Sequence, residues 1–250
     1  MNPSPYFISC DWGTSSLRLR WVDRHTSSIL SELSNPSQGV RNTAATLPNN
    51  ASPSTRAQLF AHTLALTLQS WPEVSNHLAP TLPIVISGMA SSSIGWHELP
   101  YAKTPFQTNG SSAITQWLSL TVQNHTLPTL LISGLASQTD MMRGEETQLV
   151  GILSQPHRQP LNHDSLIILP GTHSKHARIQ DHHITHITTY MTGELFDVLH
   201  HHSTLQFTTT HANNPTTDPA FLDGVQAALQ PGLMPALFQT RSRSVLHQLP

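Results

Sequence analysis

Two short stretches of this sequence carry the residue types that hold a phosphate. One is Gly171-Thr172-His173-Ser174-Lys175, which follows the apolar run Leu166–Leu169 and Pro170. The other is Gly13-Thr14-Ser15-Ser16, which follows the apolar-rich segment Tyr6–Trp12. An apolar run that ends in glycine and hydroxyl residues reads as a strand entering a tight turn. Such a turn presents backbone N–H groups and small hydroxyls to an anion. Glycine admits a phosphate to the backbone where a Cβ would stand in the way. Placing Gly13 on Gly171 also aligns Thr14 with Thr172, Ser16 with Ser174 and Arg20 with Arg178. These identities point to an internal duplication, and hence to two similar domains facing one ligand. Asp11, at the end of the first strand, reads as a turn initiator.

The elements that position these turns follow from periodicity and punctuation. Strands are expected at 6–11, 17–23 and 29–33, then a loop over 35–54 and a helix over 55–71 that Pro72 stops. A strand at 82–87 leads into a long loop, 89–106, that is dense in side chains able to bind: Ser91, Trp96, His97, Glu98, Tyr101 and Lys103. A helix over 111–121, a strand at 127–133, a loop over 134–143 and a helix from Glu145 to Leu153 complete a β-β-β-α-β-α-β-α order. Residues 155–164, polar and proline-containing, read as a linker. Strands at 166–169, 174–179 and 184–190 begin the second copy. A helix over 193–202, a loop over 208–218 and helices over 219–229 and 233–244 follow. The expected class is α/β, with mixed sheets and helices on both faces. The expected domains are 1–155 and 165–250, the second incomplete by internal symmetry.

Composition excludes several classes. The chain has 250 residues, enough for one large or two small domains, and its net charge of -2 argues against a nucleic-acid or membrane-surface role. Charged residues make up only 10%, and no segment is apolar for long enough to span a bilayer. Met1–Pro5 lacks the features of a signal peptide. The one cysteine, Cys10, allows no disulfide, fits a reducing cytoplasm and reads as a core residue. Seventeen histidines include His182-His183 and His200-His201-His202. Adjacent side chains on a helix or strand diverge, so these are read as surface composition and not as a metal site.

Several segments, in order along the chain, resemble one family. They are Asp11-Trp12-Gly13-Thr14; Ser87-Gly88-Met89 with Gly95-Trp96, Glu98 and Pro100-Tyr101; Asp140 with Met142-Arg143-Gly144-Glu145-Glu146-Thr147-Gln148; Leu169 to Lys175; and Met191-Thr192-Gly193-Glu194-Leu195-Phe196. The overall pattern is similar to the actin, Hsp70 and sugar-kinase superfamily, and these segments to its 2-dehydro-3-deoxygalactonokinases. The family's usual glycine near Ser91, and its aromatic where His176 stands, are departures. Family members continue with a glycine-containing segment that helps hold adenosine, whereas this sequence stops at Pro250.

The resemblance implies two ribonuclease H-like (actin-like ATPase) domains and a kinase that moves the γ-phosphoryl of ATP to a sugar acid with Mg²⁺, in the cytoplasm. It implies that Gly13, Thr14, Ser15, Ser16, Gly171, Thr172, His173, Ser174 and Lys175 bind nucleotide phosphates and that Asp11 holds the metal. Asp140, Glu145 and Glu146 are candidates for the base, and Arg143 for a grip on the substrate carboxylate. Ser87, Gly88, Met89, Trp96, Glu98, Tyr101, Arg143 and Glu194 are assigned to the sugar acid. Each has a plainer reading. Arg143 pairs with Glu145 or Glu146, Lys175 is a solvated lysine, Trp96 is the loop's own core, and Glu194 caps a helix. A phosphoanhydride hydrolase of the same superfamily is the second functional reading, and a shortened, non-catalytic remnant the third. An oligomer is possible, and domain closure is expected.

Overall fold

Along Tyr6–Trp12 every second side chain is buried, so Ile8, Cys10 and Trp12 commit one face of the segment to the interior. In the computed structural model, which describes residues 4–208, 219–229 and 232–247, this segment is strand β1 of a six-stranded sheet. Strands β2 (Leu17–Asp23) and β3 (Ile29–Asn35) extend the sheet antiparallel on one side. On the other side β4 (Ile84–Gly88) runs parallel to β1. Between β3 and β4 come three helices: α1 (Val40–Ala44), α2 (Pro53–Gln69) and α3 (Pro72–Ser75). Helix α2 starts two residues before the expected 55, with Pro53 in its first turn and Ser52 as cap, the Ser52 Oγ accepting from the Thr55 N–H. It buries Phe60, Leu64, Ala65 and Leu68 against the sheet core.

After β4 come β5 (Ala102–Lys103), β6 (Phe106–Gln107), β7 (Thr115–Val122), β8 (His125–Ile132), β9 (Leu135–Ala136) and β10 (Met141–Met142). The helix expected over 111–121 is therefore wrong: its C-terminal part is strand β7. Leu118, Leu120 and Val122 point inward at a period of two while Ser119 and Thr121 face out. The segment ends in a tight reversal at Gln123, with φ of 52°, that pairs Val122 with His125. β7 thus forms a hairpin with β8, and β8 is the parallel neighbour of β4. The sheet order is β3-β2-β1-β4-β8-β7. The loop expected over 35–54 also holds a short helix, α1.

Helix α4 runs over Glu145–Leu153, and a 3₁₀ turn over Pro156–Asn162 occupies the expected linker. Strands β11 (Asp164–Leu169), β12 (Ser174–Gln180) and β13 (His183–Tyr190) join β6 in a four-stranded sheet. This sheet, with α4, encloses a second core that includes Phe106, Leu149, Leu153, Ala177, Ile179 and Ile187. Helices α5 (Thr192–His202), α6 (Pro219–Leu229) and α7 (Leu233–His247) follow. Of the loop expected over 208–218, residues 209–218 lie outside the described residues, as do Met1–Pro3 of the N-terminal segment. No helix among the described residues is long and apolar enough to cross a membrane.

By packing, the chain divides into two units. The first comprises residues up to 169 together with 175–189, and the second comprises 170–174 together with the chain from 190 onward. Both hydrophobic cores belong to the first unit. The first core is anchored on Trp12, whose ring meets Phe60 at 5.2 Å and Trp96 at 6.4 Å. Phe60→Ala should destabilise the protein by about 3–5 kcal/mol. Urea unfolding measures this, and an unchanged midpoint would remove Phe60 from the core.

Candidate active site

The residues expected to do chemistry in the first unit gather where β1 and β4 end. The parallel register sets Asp11 beside Ser87 and Trp12 beside Gly88. Gly88 has φ of 93°, and a Cβ there would come within 2.7 Å of the Trp12 carbonyl oxygen. Gly144, which precedes α4, has φ of 112°, and its Cβ would stand 3.3 Å from Gly88 Cα. Both are backbone conformations that glycine tolerates and other residues rarely adopt. The result brings the Gly13 turn, the start of the 88–101 loop and the acidic end of α4 within a few residues of one another.

The Gly13–Ser16 turn closes with the Gly13 N–H donating to Ser16 O at 2.9 Å. Its carbonyls face inward. Gly39, Val40 and Arg41, at the start of α1, donate their N–H groups to the carbonyls of Ser15, Gly13 and Thr14 at 3.1, 2.9 and 3.1 Å. The fit is tight: a Cβ on Gly39 would lie 2.1 Å from the Ser15 carbonyl carbon. A Cβ on Gly13 would meet nothing of the protein closer than Ser16 O at 3.5 Å. Protein packing does not demand glycine at 13, so the open space above it is what a ligand would use. Asp11 is half-buried and accepts from Arg18 Nη1 at 3.2 Å, an ion pair of modest worth at this exposure. Beside it, burial and the Asp11 charge push the Cys10 thiol well up, which leaves it an inert core residue.

In the second unit the turn at 171–174 repeats the device. The Glu194 N–H donates to Thr172 O at 3.0 Å. Gly193, in the first turn of α5, lies so close that its Cβ would stand 2.7 Å from Gly171 O. Gly171, like Gly13, has room for a side chain. His173 Nε2 pairs with the Glu194 carboxylate, so Glu194 serves the turn in this unit.

The long loop and α4 are tied together by Arg143. Its Nη1 donates to both Ser91 O and Ser91 Oγ at 2.6 Å, and its guanidinium lies 4.1 Å from the centre of the Tyr101 ring. The Tyr101 ring packs so closely on Gly134 that a Cβ there would approach it to 2.7 Å. Trp96 is buried against Trp12 as part of the core, Met89 is partly buried beside it, and Glu98 is exposed.

The three carboxylates differ sharply. Asp140 accepts from the Thr189 N–H and hydroxyl, each at 2.6 Å, and from the Met141 N–H at 2.7 Å. Burial works to raise its carboxyl, but the Thr189 hydroxyl, these amides and the nearby Lys175 hold it below the usual range. Glu145 is half-buried and accepts from the Arg143 N–H at 3.0 Å through Oε2. Glu146 is 2% exposed and receives the Gly144 N–H, and burial pushes its carboxyl up to about 7 against that bond. Lys175 is no solvated lysine. It is buried, and its Nζ donates to Met141 O at 2.8 Å and Thr189 Oγ1 at 2.9 Å.

Most of the predicted residues thus fall into two sets. Asp11, Gly13–Ser16, Ser87–Met89, Tyr101 and Arg143–Glu146 converge in the first unit, while Gly171–Ser174 and Glu194 form a turn-and-helix group in the second. Sequence reading missed Gly39, whose only signal was a glycine before Val40 in a polar stretch. It also missed Thr189, one threonine among many.

Two consequences can be measured. Gly39→Ala should lose about 1–3 kcal/mol of stability by overpacking the turn. Gly13→Ala, with space for its methyl, should stay within about 0.5 kcal/mol of the parent; equal losses in thermal melts would contradict this packing. Glu146 binds its proton more tightly folded than unfolded. The native state is therefore favoured at low pH, and that advantage is lost as pH rises from about 4.5 to about 7. Stability should fall by on the order of 3 kcal/mol across that window, and Glu146→Gln should flatten the fall. Urea titrations at a series of pH values read it, and parallel curves for the two proteins would exclude it.

Comparison with known proteins gives the family. The family model described as 2-keto-3-deoxy-galactonokinase matches residues 11–250. A protein of Rhizobium meliloti (strain 1021), named a probable 2-dehydro-3-deoxygalactonokinase, is 32% identical over 255 residues, covering 99% of this chain and 74% of the relative. The 2-dehydro-3-deoxygalactonokinase of Escherichia coli (strain K12) is 32% identical over 245 residues, covering 98% and 73%. A crystal structure from Sinorhizobium meliloti, assigned the same enzyme name, superposes with a TM-score of 0.73 at 29% identity, over 98% of this chain and 74% of that one. With its glycine-braced turn, its acidic helix start and these matches along almost all its length, the chain belongs to the 2-keto-3-deoxy-galactonokinase family.

Proposed function

We propose that this chain is an ATP-dependent kinase that phosphorylates 2-dehydro-3-deoxy-D-galactonate to its 6-phosphate, with Mg²⁺. One observation carries the reading beyond family membership. The Gly13 turn, with an open approach above it, sits at the same strand ends as Asp11, Gly88 and the start of α4. Phosphoryl transfer runs through a loose, highly charged transition state, so positioning and charge neutralisation do most of the work. Thr14, Ser15 and Ser16 supply N–H and hydroxyl donors to phosphate oxygens. Gly171, Thr172, His173 and Ser174 offer the same donors. The chain, in this reading, comprises two actin-like domains, residues 1–155 and 165–250. Their likeness in the chain supports this. Each begins with three successive strands, β1–β3 and β11–β13, and in each the turn after the first strand is braced by a helix N-terminus.

Asp11 fits Mg²⁺. It is one half-exposed carboxylate at a strand end, and Mg²⁺ keeps most of its ligands as water and substrate phosphate. When bound, the ion would neutralise phosphate charge. On the acceptor side, Ser87, Gly88, Met89 and Tyr101 shape the sugar-acid pocket, with Trp96 buried behind the loop and Glu98 at its exposed rim. Arg143 has Nη1 engaged by Ser91 and keeps its Nη2 side for the substrate carboxylate. Glu145 is the base of choice. Asp140 is saturated by donors and its low pKa makes it a poor proton acceptor, while Glu146 is sealed at the helix cap. Glu145 has one oxygen on the Arg143 N–H and is half-exposed.

The test is ATP turnover measured with and without the sugar acid. Turnover should require the acid. Glu145→Gln should lower kcat about 10²–10⁴-fold, the usual contribution of a general base. Arg143→Ala should act mainly on KM for the acid. Turnover that ignores the sugar acid would make the chain a hydrolase and overturn the proposal.

A further inference from the structure

Thr189 is named by no motif and by no role in phosphoryl transfer, yet four groups meet on it or its partners. Its N–H and hydroxyl both donate to Asp140, each at 2.6 Å, and its hydroxyl oxygen accepts from Lys175 Nζ at 2.9 Å. Lys175 also donates to Met141 O, and Asp140 accepts from the Met141 N–H. The cluster is therefore a closed ring of donors and acceptors in which the lysine charge faces a carboxylate. A lysine is buried only when so paired.

The placement of these residues along the chain gives the cluster a meaning. Asp140 and Met141 lead directly to Arg143, Gly144 and Glu145. Lys175 is the first residue after the 170–174 turn, and Thr189 the last before Tyr190. The chain leaves the first unit for the second on either side of these two residues. The ends of β12 and β13 from which the second turn and α5 continue are thus fixed, within the first unit, to the segment that carries the acidic helix start.

We propose that Thr189 is a positioning residue for the kinase reaction: with Asp140 and Lys175 it holds the Arg143–Glu145 segment in register with the ends of β12 and β13. The inference rests on the kinase reading given above. It also gives Asp140 and Lys175 a job other than base and phosphate contact. Register matters because in-line transfer tolerates little error, and a displacement of about 1 Å far from the chemistry costs on the order of 10²-fold.

The experiment compares the full chain with Thr189→Val, which removes the hydroxyl at nearly constant shape, and Thr189→Ser, which restores it. Steady-state rates with ATP, Mg²⁺ and the sugar acid are paired with hydrogen exchange. Thr189→Val should lower kcat about 10-fold or more while both KM values move by less than about 3-fold, and Thr189→Ser should recover most of the loss. Exchange at the amides of 141–146 should quicken in the valine variant and not in the serine variant. A valine variant with parental kcat and only a lower melting temperature would overturn the proposal, as would exchange changes confined to 188–190. Should valine fail to fold, Asp140→Asn carries the same test, with the same expected fall in kcat and the same spread of exchange. An inactive parent chain would sink the kinase reading instead, and exchange alone would then decide whether the 141–146 segment depends on the Thr189 hydroxyl.

Discussion

Backbone against backbone at Gly88 is the contact on which the first unit's site depends. Gly88 lies against the Trp12 carbonyl at a distance that excludes a side chain, and Gly144 lies against Gly88 with little room for one. Because both glycines also have positive φ, no other residue could restore the contact by shifting a rotamer. Everything placed nearby inherits its position from this meeting of strand ends. Asp11 and the Gly13 turn extend from β1, the 88–101 loop from β4, and the acidic pair from α4. Arg143 then fastens the loop to the helix start through Ser91 and the face of Tyr101.

The two glycine-hydroxyl turns show one physical solution used twice. A turn whose amides are to face an anion must satisfy its carbonyls elsewhere. In the first unit the start of α1 does this, and in the second the start of α5 contributes the Glu194 N–H. In both, a glycine at the helix entrance lets the backbones close up. The glycines of the turns themselves, at 13 and 171, are not what packing requires. Those at 39 and 193 are.

This contrast explains what could be read from the sequence. The turns, the first three strands and α4 were legible because each depends on local chemistry: alternation, a glycine with hydroxyls, acids at a helix start. Residues 111–121 misled because Leu118 and Leu120 fit a short helix as well as a strand, and the pairing of Val122 with His125 that decides the matter is visible only across the hairpin. Lys175 read as a phosphate contact or a solvated lysine because it is buried beside Met141 and Thr189, distant in sequence. The three candidate bases looked equivalent, since sequence holds no record of the donors that saturate Asp140 or the burial that seals Glu146. Gly39 hid in a stretch of loop composition because its constraint lies in Ser15.

The aromatic cluster of Phe60, Trp12 and Trp96 has a final consequence. Trp12 is at once the residue between Asp11 and Gly13 and the centre of the interior, and its indole N–H is fastened to Gln38 O just ahead of Gly39. The scaffold and the workplace therefore share a beam. A change on the inner face of α2 would thus be felt at Asp11 and Gly13 through the Trp12 ring.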